Sequence, residues 1–290
     1  MARLDGVADP ARDLSLMART QYSDAELLEA RLRDAIEKCR KGSVALLPFL
    51  TPGEHIRAER LLRVFGAYGQ AWFFGGYSGA ERVCLYLLPE YLTEMLSAAP
   101  SECPTEEMRE LLCEELSESV TAICIRGSGF RKLTHRDFLG AVLGLGIQRD
   151  AVGDLAVQDD HTAVLFCSRT IADLLRSDLV KVGSDTVKCT EYTVGEDFTD
   201  GRRYAPVSDT VASERLDCVV AALCNLSRDA AQGAIRAGLV EVDYETVERN
   251  DLLLSPPTTL SVRGHGKFIL RTFDGETRKG RLRLRADRLI

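Results

Sequence analysis

The chain is 290 residues long, 45% hydrophobic and 28% charged, with a net charge of −7. That length holds two or three small domains, and the balance is ordinary for a globular protein, which excludes a fibrous or low-complexity chain. No long apolar stretch stands at the N-terminus, so no signal peptide or membrane span is expected, and a charge of −7 spread evenly would argue against nucleic acid as a partner.

Residues before Gln21 read as a loose leader. Ser23-Asp24-Ala25-Glu26 is a capping-box pattern that predicts a helix to about Lys41. Thr51-Pro52-Gly53-Glu54 repeats the device, with Pro52 at the first helical position, and predicts a helix to about Phe65. Gln70–Phe74 and Arg82–Leu88 read as strands joined by the Gly75–Gly79 turn. These elements make a helical domain with a hairpin over residues 1–98. Ala99–Thr105 is a connector containing Pro100 and Pro104, and Glu106–Leu116 reads as an acidic helix.

The next stretch has a regular order. Val120–Arg126 is an apolar strand, Thr134 caps a helix to about Leu145, and Asp154–Val157 and Ala163–Cys167 are two further strands. A helix over Arg169–Leu175 and a strand over Val187–Thr193 follow. The resulting βαββαβ order over 105–194 is that of a ferredoxin-like, or RNA-recognition-motif-like, plait. The aromatic residues that stack bases in true RNA-recognition motifs are missing from its strands, so the plait alone does not predict single-strand binding. Gly195–Tyr204, polar and acidic, reads as a linker.

From Ser213 the pattern changes again. Leu216, Val219, Val220 and Leu223 recur at helical spacing. Ser227 is an N-cap candidate for a second short helix with Ile235 on its buried side, and Gly238 stands where that helix stops. Val240-Glu241-Val242 alternates like a half-buried strand. Arg215, Arg228 and Arg236 fall at helix ends on polar positions, and Arg215 and Arg228 lie outside the expected core, so replacing those two should cost little stability. Arg263 and Lys267 flank Gly264-His265-Gly266, a turn whose backbone could approach a phosphate closely. Lys279, Arg281, Arg283 and Arg285 alternate with Leu282 and Leu284, which predicts a strand with cations on one face. That face is either a solvated edge or a ridge facing RNA. From Arg263 to Ile290 nine cations face three acids, a surplus of six that leaves −13 for the rest of the chain. A basic end on an acidic body is an electrostatic footprint for nucleic acid.

The order Ser213-Glu214-Arg215-Leu216-Asp217, Asn225-Leu226-Ser227-Arg228, Ile235–Val242 and Val262–Phe268 resembles the S-four-type RNA-binding domain, named after small-subunit ribosomal protein four. One departure is Asp243-Tyr244, where that domain usually has Asn-Gly. Three further blocks are Phe49–Glu54, Phe73-Phe74-Gly75-Gly76-Tyr77-Ser78-Gly79-Ala80-Glu81-Arg82, and Leu133–Gly140 running on to Leu145–Asp150 and Gly153-Asp154. Together with the C-terminal module, over 208–290, they resemble the YlmH family of bacterial RNA-binding proteins from about Ser43 onward. The resemblance implies an α+β, multi-domain, non-enzymatic, cytoplasmic factor. Its partners would be ribosomal RNA and tRNA on the large ribosomal subunit, in rescue of stalled translation, where the family is thought to hold peptidyl-tRNA on dissociated large subunits. It also implies a weaker link to cell division. No DNA, membrane or cofactor is expected. The RNA-binding candidates are Arg215, Ser227, Arg228, Arg236, Arg263, His265, Lys267, Arg281, Arg283 and Arg285.

Three motifs point toward an enzyme, and each has a simpler reading. His135-Arg136-Asp137 matches a kinase catalytic triplet without its accompanying loops, and forms the first turn of the helix capped by Thr134. Arg215-Leu216-Asp217 mimics a pseudouridine-synthase motif with no synthase domain following it. The glycines of Gly75–Gly79 lack the helix that a dinucleotide site needs. An RNA-modifying enzyme with its active site in the first two domains is the alternative reading, and a division scaffold a third. The nine cysteines (Cys39, Cys84, Cys103, Cys113, Cys124, Cys167, Cys189, Cys218 and Cys224) include no Cys-x-x-Cys and mostly sit in apolar runs. Reduced thiols, no disulfide and no zinc are therefore expected.

Overall fold

The computed structural model describes residues 24–96, 120–195 and 197–290. The leader, the Ser23 cap, the 99–105 connector, the 106–116 helix, Cys103 and Cys113 lie outside the described residues. The protein is α+β. Its chain divides into two compact units, one of residues 1–121 with 148–154 and 166–171, the other of 122–147, 155–165 and 172–290.

The first unit holds α1 (Asp24–Arg40), β1 (Ala45–Leu50), α2 (Pro52–Val64), β2 (Ala71–Phe74), β3 (Val83–Leu87) and α3 (Glu90–Leu96). The strands form an antiparallel sheet in the order β1-β3-β2, so the expected hairpin gains a third strand. All five residues of β3 are buried. Leu85 and Leu87 pack with Leu28, Leu32 and Ile36 of α1 and Ala58 and Leu62 of α2, while Cys84 and Tyr86 pack with Phe49, Trp72 and Leu92. The predicted cap of α2 is present. The Glu54 backbone N–H donates to Thr51 Oγ1 at 3.3 Å, and the Thr51 N–H donates to Glu54 Oε2 at 2.7 Å.

The Gly75–Arg82 block has a structural task in this unit. Gly76 takes φ +100°, and a Cβ there would lie 2.2 Å from the Phe166 ring. The loop's tight course delivers Tyr77, Glu81 and Arg82 to Asp154. Tyr77 Oη donates to Asp154 Oδ2 at 2.7 Å, as does the Glu81 N–H at 2.8 Å, while the Arg82 N–H donates to Oδ1 at 3.1 Å. The buried Arg82 guanidinium donates to the carbonyls of Val152 (2.9 Å), Phe49 (3.2 Å) and Arg149 (3.0 Å). Each of the three sequence blocks upstream of the C-terminal module therefore supplies one side of a single buried polar network.

A five-stranded sheet follows, built from β4 (Val120–Gly127), β5 (Val152–Val157), β6 (Thr162–Ser168), β7 (Lys181–Val182) and β8 (Asp185–Tyr192) in the order β5-β6-β4-β8-β7. Setting aside the two-residue β7, this is the strand order of a ferredoxin-like plait. Its helices are α4 (His135–Gly144), with Phe138 and Val142 buried, and α5 (Arg169–Asp178), with Ala172 and Leu175 buried. Thr134 and Asp137 form a reciprocal capping box at the start of α4, as the simpler reading of His135-Arg136-Asp137 expects.

The C-terminal part contains β9 (Tyr204–Val211), α6 (Leu216–Leu223), α7 (Arg228–Arg236), β10 (Val240–Val242), β11 (Glu245–Thr246), β12 (Thr258–Val262), β13 (Gly266–Glu276) and β14 (Leu282–Leu289). The sheet order is β11-β10-β12-β13-β14-β9. Leu216, Val219, Val220 and Leu223 of α6 and Ile235 of α7 are buried against Val240, Leu260, Phe268, Leu270, Leu284 and Ala286. Two readings change here. Tyr204 belongs to β9 rather than to a linker, and position 208 falls inside that strand. β14 is an interior strand between β13 and β9, not an edge, and it starts at Leu282, so Lys279 lies in the preceding turn.

Candidate nucleic-acid interface

The centre of the helix pair is a residue outside the set of RNA-binding candidates. Asp217, in the first turn of α6, is fully buried. Arg215, at the N-cap of α6, grips it with Nε to Oδ1 at 3.1 Å and Nη2 to Oδ2 at 3.2 Å. Arg228, the first residue of α7, donates Nε to Oδ2 at 3.2 Å, and Gln232 donates Nε2 to the same oxygen at 2.8 Å. Burial opposes the charge on Asp217, but the hydrogen bonds from Arg215, Gln232 and Arg228 outweigh it. They hold the carboxyl well below the usual carboxylate range. The two arginine side chains remain 35% and 54% exposed. Each therefore stays partly open to solvent while its orientation is fixed from beneath.

The expectation that Arg215 and Arg228 stand apart from the folded interior is therefore corrected: both neutralise a buried charge. An aspartate on the same helix face as Leu216, Val219 and Val220 was the available signal, because a carboxylate on an apolar face needs a partner nearby. Asp217 also meets three side-chain donors, so Arg215-Leu216-Asp217 is a structural clasp.

The other candidates take up separate places. The Ser227 hydroxyl is occupied as the cap of α7, accepting from the Ala230 N–H at 3.1 Å. Arg236, the last residue of α7, is exposed and donates Nε to the Gln232 carbonyl at 3.3 Å. Arg263 is exposed in the β12–β13 turn, where Gly264 takes φ +84° and no atom stands within 4 Å of a Cβ built there. His265 lends its carbonyl to Arg288 Nη2 at 3.0 Å. Lys267 donates Nζ to Tyr244 Oη at 3.0 Å and lies over that ring at 4.8 Å. Asp243 and Tyr244, the departure from the usual Asn-Gly, both adopt positive φ, 47° and 66°. The turn keeps the backbone shape that Asn-Gly would favour and uses Tyr244 to hold Lys267.

Arg281 is held to β9 by hydrogen bonds to the Thr210 side chain (3.0 Å) and backbone carbonyl. Arg285 pairs with Asp274 at 2.5 Å, and Arg283 is exposed. Leu284 and Ala286 point into the core beneath the helices, so Arg283 and Arg285 lie on the opposite sheet face with Lys267. The structure thus sorts the cations into a helix side (Arg215, Arg228, Arg236) and an open sheet side (Lys267, Arg283, Arg285), with Arg263 in a connecting turn. It does not join them into one surface.

Among the described residues no group of three His, Cys, Asp or Glu side chains could hold a metal ion, and the seven described cysteines are free. Among those residues, too, no helix is long and apolar enough to cross a membrane.

Residues 120–196 match the family described as a putative RNA-binding domain in YlmH. The ribosome-associated protein quality control protein P2 of Bacillus subtilis (strain 168) is 30% identical over 218 residues, 74% of this chain and 77% of that protein. Among solved structures, the cell division protein ylmH from Streptococcus pneumoniae matches with a TM-score of 0.45 at 18% identity, over 60% of this chain and 94% of that one. The identity and the extent of the match to the Bacillus protein establish that the chain belongs to the YlmH family.

Proposed function

We propose that this protein is a non-enzymatic RNA-binding factor of ribosome quality control. Its C-terminal part is an S-four-type module that grips ribosomal RNA and tRNA backbone on the large subunit when translation has stalled. The observation that carries the reading is the clasp on Asp217. Two arginines from adjacent helix starts are pre-oriented by one buried carboxylate, and both side chains stay partly exposed. Guanidinium forks fixed in this way suit two phosphates of one backbone, and prior ordering lowers the entropy cost of binding. Arg236 extends the contact on the helix side, and the acidic remainder of the chain limits nonspecific adhesion to RNA. The name of the Bacillus relative and the description of the 120–196 family support this role. Peptidyl-tRNA on dissociated large subunits is the proposed substrate state, and the cytoplasm the proposed compartment.

The test is sedimentation of cell extracts on sucrose gradients. Wild type should travel with free large subunits. The triple variant Arg215→Gln, Arg228→Gln, Asp217→Asn removes the cations together with the charge they neutralise, and should leave the large-subunit fraction while remaining folded. A folded triple variant that still co-sediments would show that another surface binds, and wild type absent from the subunit fraction would refute the ribosomal role.

A further inference from the structure

We infer that the loop between β4 and α4 is a second RNA contact, which stacks an unpaired base on Phe130. The inference rests on the RNA-binding role proposed above and names a different surface, a different contact and a different form of RNA. Phe130 is 79% exposed, one of the two most exposed large hydrophobic side chains among the described residues. A single exposed apolar residue is ordinary by itself. What distinguishes this one is how firmly its loop is held.

At one end of the loop the Gly127 N–H donates to the His161 carbonyl at 2.8 Å, and the Ser128 N–H to the Thr186 carbonyl at 3.0 Å. The Ser128 hydroxyl bonds the buried Asp185 carboxylate, and the Phe130 N–H reaches Ser128 Oγ at 3.4 Å. At the other end the Leu133 N–H donates to the Asp160 carbonyl at 2.8 Å, and the Arg131 carbonyl lies 3.0 Å from His161 Nδ1. Gly129 makes the bend at φ +89° with open space around it. The ring is thus displayed outward on a braced turn, with little further ordering needed on binding.

The charge around it fits a polyanion. Within residues 126–137 there are four cations (Arg126, Arg131, Lys132 and Arg136) and one carboxylate, Asp137; Lys188 adds a fifth cation beside the loop, and Asp159, Asp160 and the buried Asp185 lie against it, so the surplus of positive charge is small but of the right sign. Arg131 is paired with Asp137 and Lys132 with Asp160, which keeps both at the rim of the loop. Exposed Arg126 lies opposite exposed Lys188 in the β4–β8 register, beside an open groove also lined by Ser128, Thr186 and Thr190. Cations and hydroxyls along a groove that reaches Ser128, two residues before the exposed Phe130 ring, suit a single strand, its phosphates in the groove and one base on the ring. A duplex cannot offer that base. The ring is on a loop, which is why a search for aromatics on the strands passes over it.

The test compares two fluorescein-labelled RNAs by anisotropy with the full chain: a hairpin with an unpaired purine loop, and a blunt duplex of the same stem. Phe130→Ala should weaken hairpin binding about 5- to 150-fold, the range for removal of one base stack, and leave duplex binding unchanged. Phe130→Trp should retain hairpin affinity. Its new tryptophan should be quenched by the hairpin and not by the duplex, since the native Trp72 is buried. A Phe130→Ala protein that binds the hairpin like wild type overturns the inference. So does equal weakening toward both RNAs, or a wild type that binds the duplex alone. The broader role fails separately, if wild type binds neither RNA.

Discussion

Removing Arg215 and Arg228 together should destabilise the helix pair as well as weaken RNA binding. The double alanine variant leaves the Asp217 carboxylate fully buried with Gln232 as its remaining side-chain donor. Breaking a buried ion pair from one side costs roughly 3–5 kcal/mol. Here Gln232 stays, and truncating two half-exposed side chains admits water, so we expect about 2–3 kcal/mol, allowing about one hydrogen bond for Gln232. Adding Asp217→Asn should recover most of that loss, because the uncompensated charge disappears with its partners. Urea unfolding followed by circular dichroism measures all four corners of this cycle. The pH dependence has a definite sign. The folded pKa of Asp217 lies below its unfolded value of about 3.9, so its ionic stabilisation is fully present above that value and is lost as pH falls through the folded pKa. The stability gap between wild type and Asp217→Asn should therefore narrow on acidification below about pH 4. A double alanine variant as stable as wild type at pH 7 would refute the claim that Asp217 depends on the two arginines.

Three further outcomes are expected. Arg82→Lys should destabilise the first unit by about 2–3 kcal/mol in chemical unfolding, because one ammonium cannot serve three carbonyls on divergent sides. Replacing Arg281, Arg283 and Arg285 with Gln should reduce the log–log salt slope of RNA binding by roughly 0.7–0.9 for each phosphate that is no longer neutralised; because Arg281 is tied to Thr210 and Arg285 to Asp274, Arg283→Gln alone should account for most of the change. Cys84, whose thiol burial pushes up to about 12, and Cys189 and Cys224, pushed by burial to about 11, should react with an aromatic disulfide reagent at pH 8 only after unfolding.

Helices carrying their own punctuation were legible in the sequence. Thr51 with Glu54, Thr134 with Asp137, and Ser227 each marked a start to within a residue, because a cap is a local arrangement between a side chain and the nearest N–H groups. The two long strands that escaped notice, β1 and β9, each contain a proline, Pro48 and Pro206, and each lies at a sheet edge. A missing N–H is tolerated there because one side of the strand has no neighbour, but that tolerance is a property of the sheet and cannot be read locally. The candidate site was half legible for the same reason. Arg215, Arg228 and Arg236 stood out as charges at helix ends. That two of them meet at Asp217, eleven residues before Arg228, depends on how α6 packs against α7.

The pairing of β9 with β14 sets the order in which the C-terminal part can assemble. Every partner of β9 lies 71 to 85 residues further along, from Leu282 opposite Val211 to Leu289 opposite Tyr204. During synthesis β9 leaves the ribosome first and must wait while both helices and four other strands are made. Local hairpins such as β12–β13 can close early, whereas this contact closes late and carries a large loop-entropy barrier. In that interval β9 is an unsatisfied strand, exposed to pairing with other chains. Pro206 near its start and the charge of Asp209 make it a poor template for such pairing. The terminal strand thus acts as a latch, and the module is secured only when its last arginine-bearing segment has been delivered.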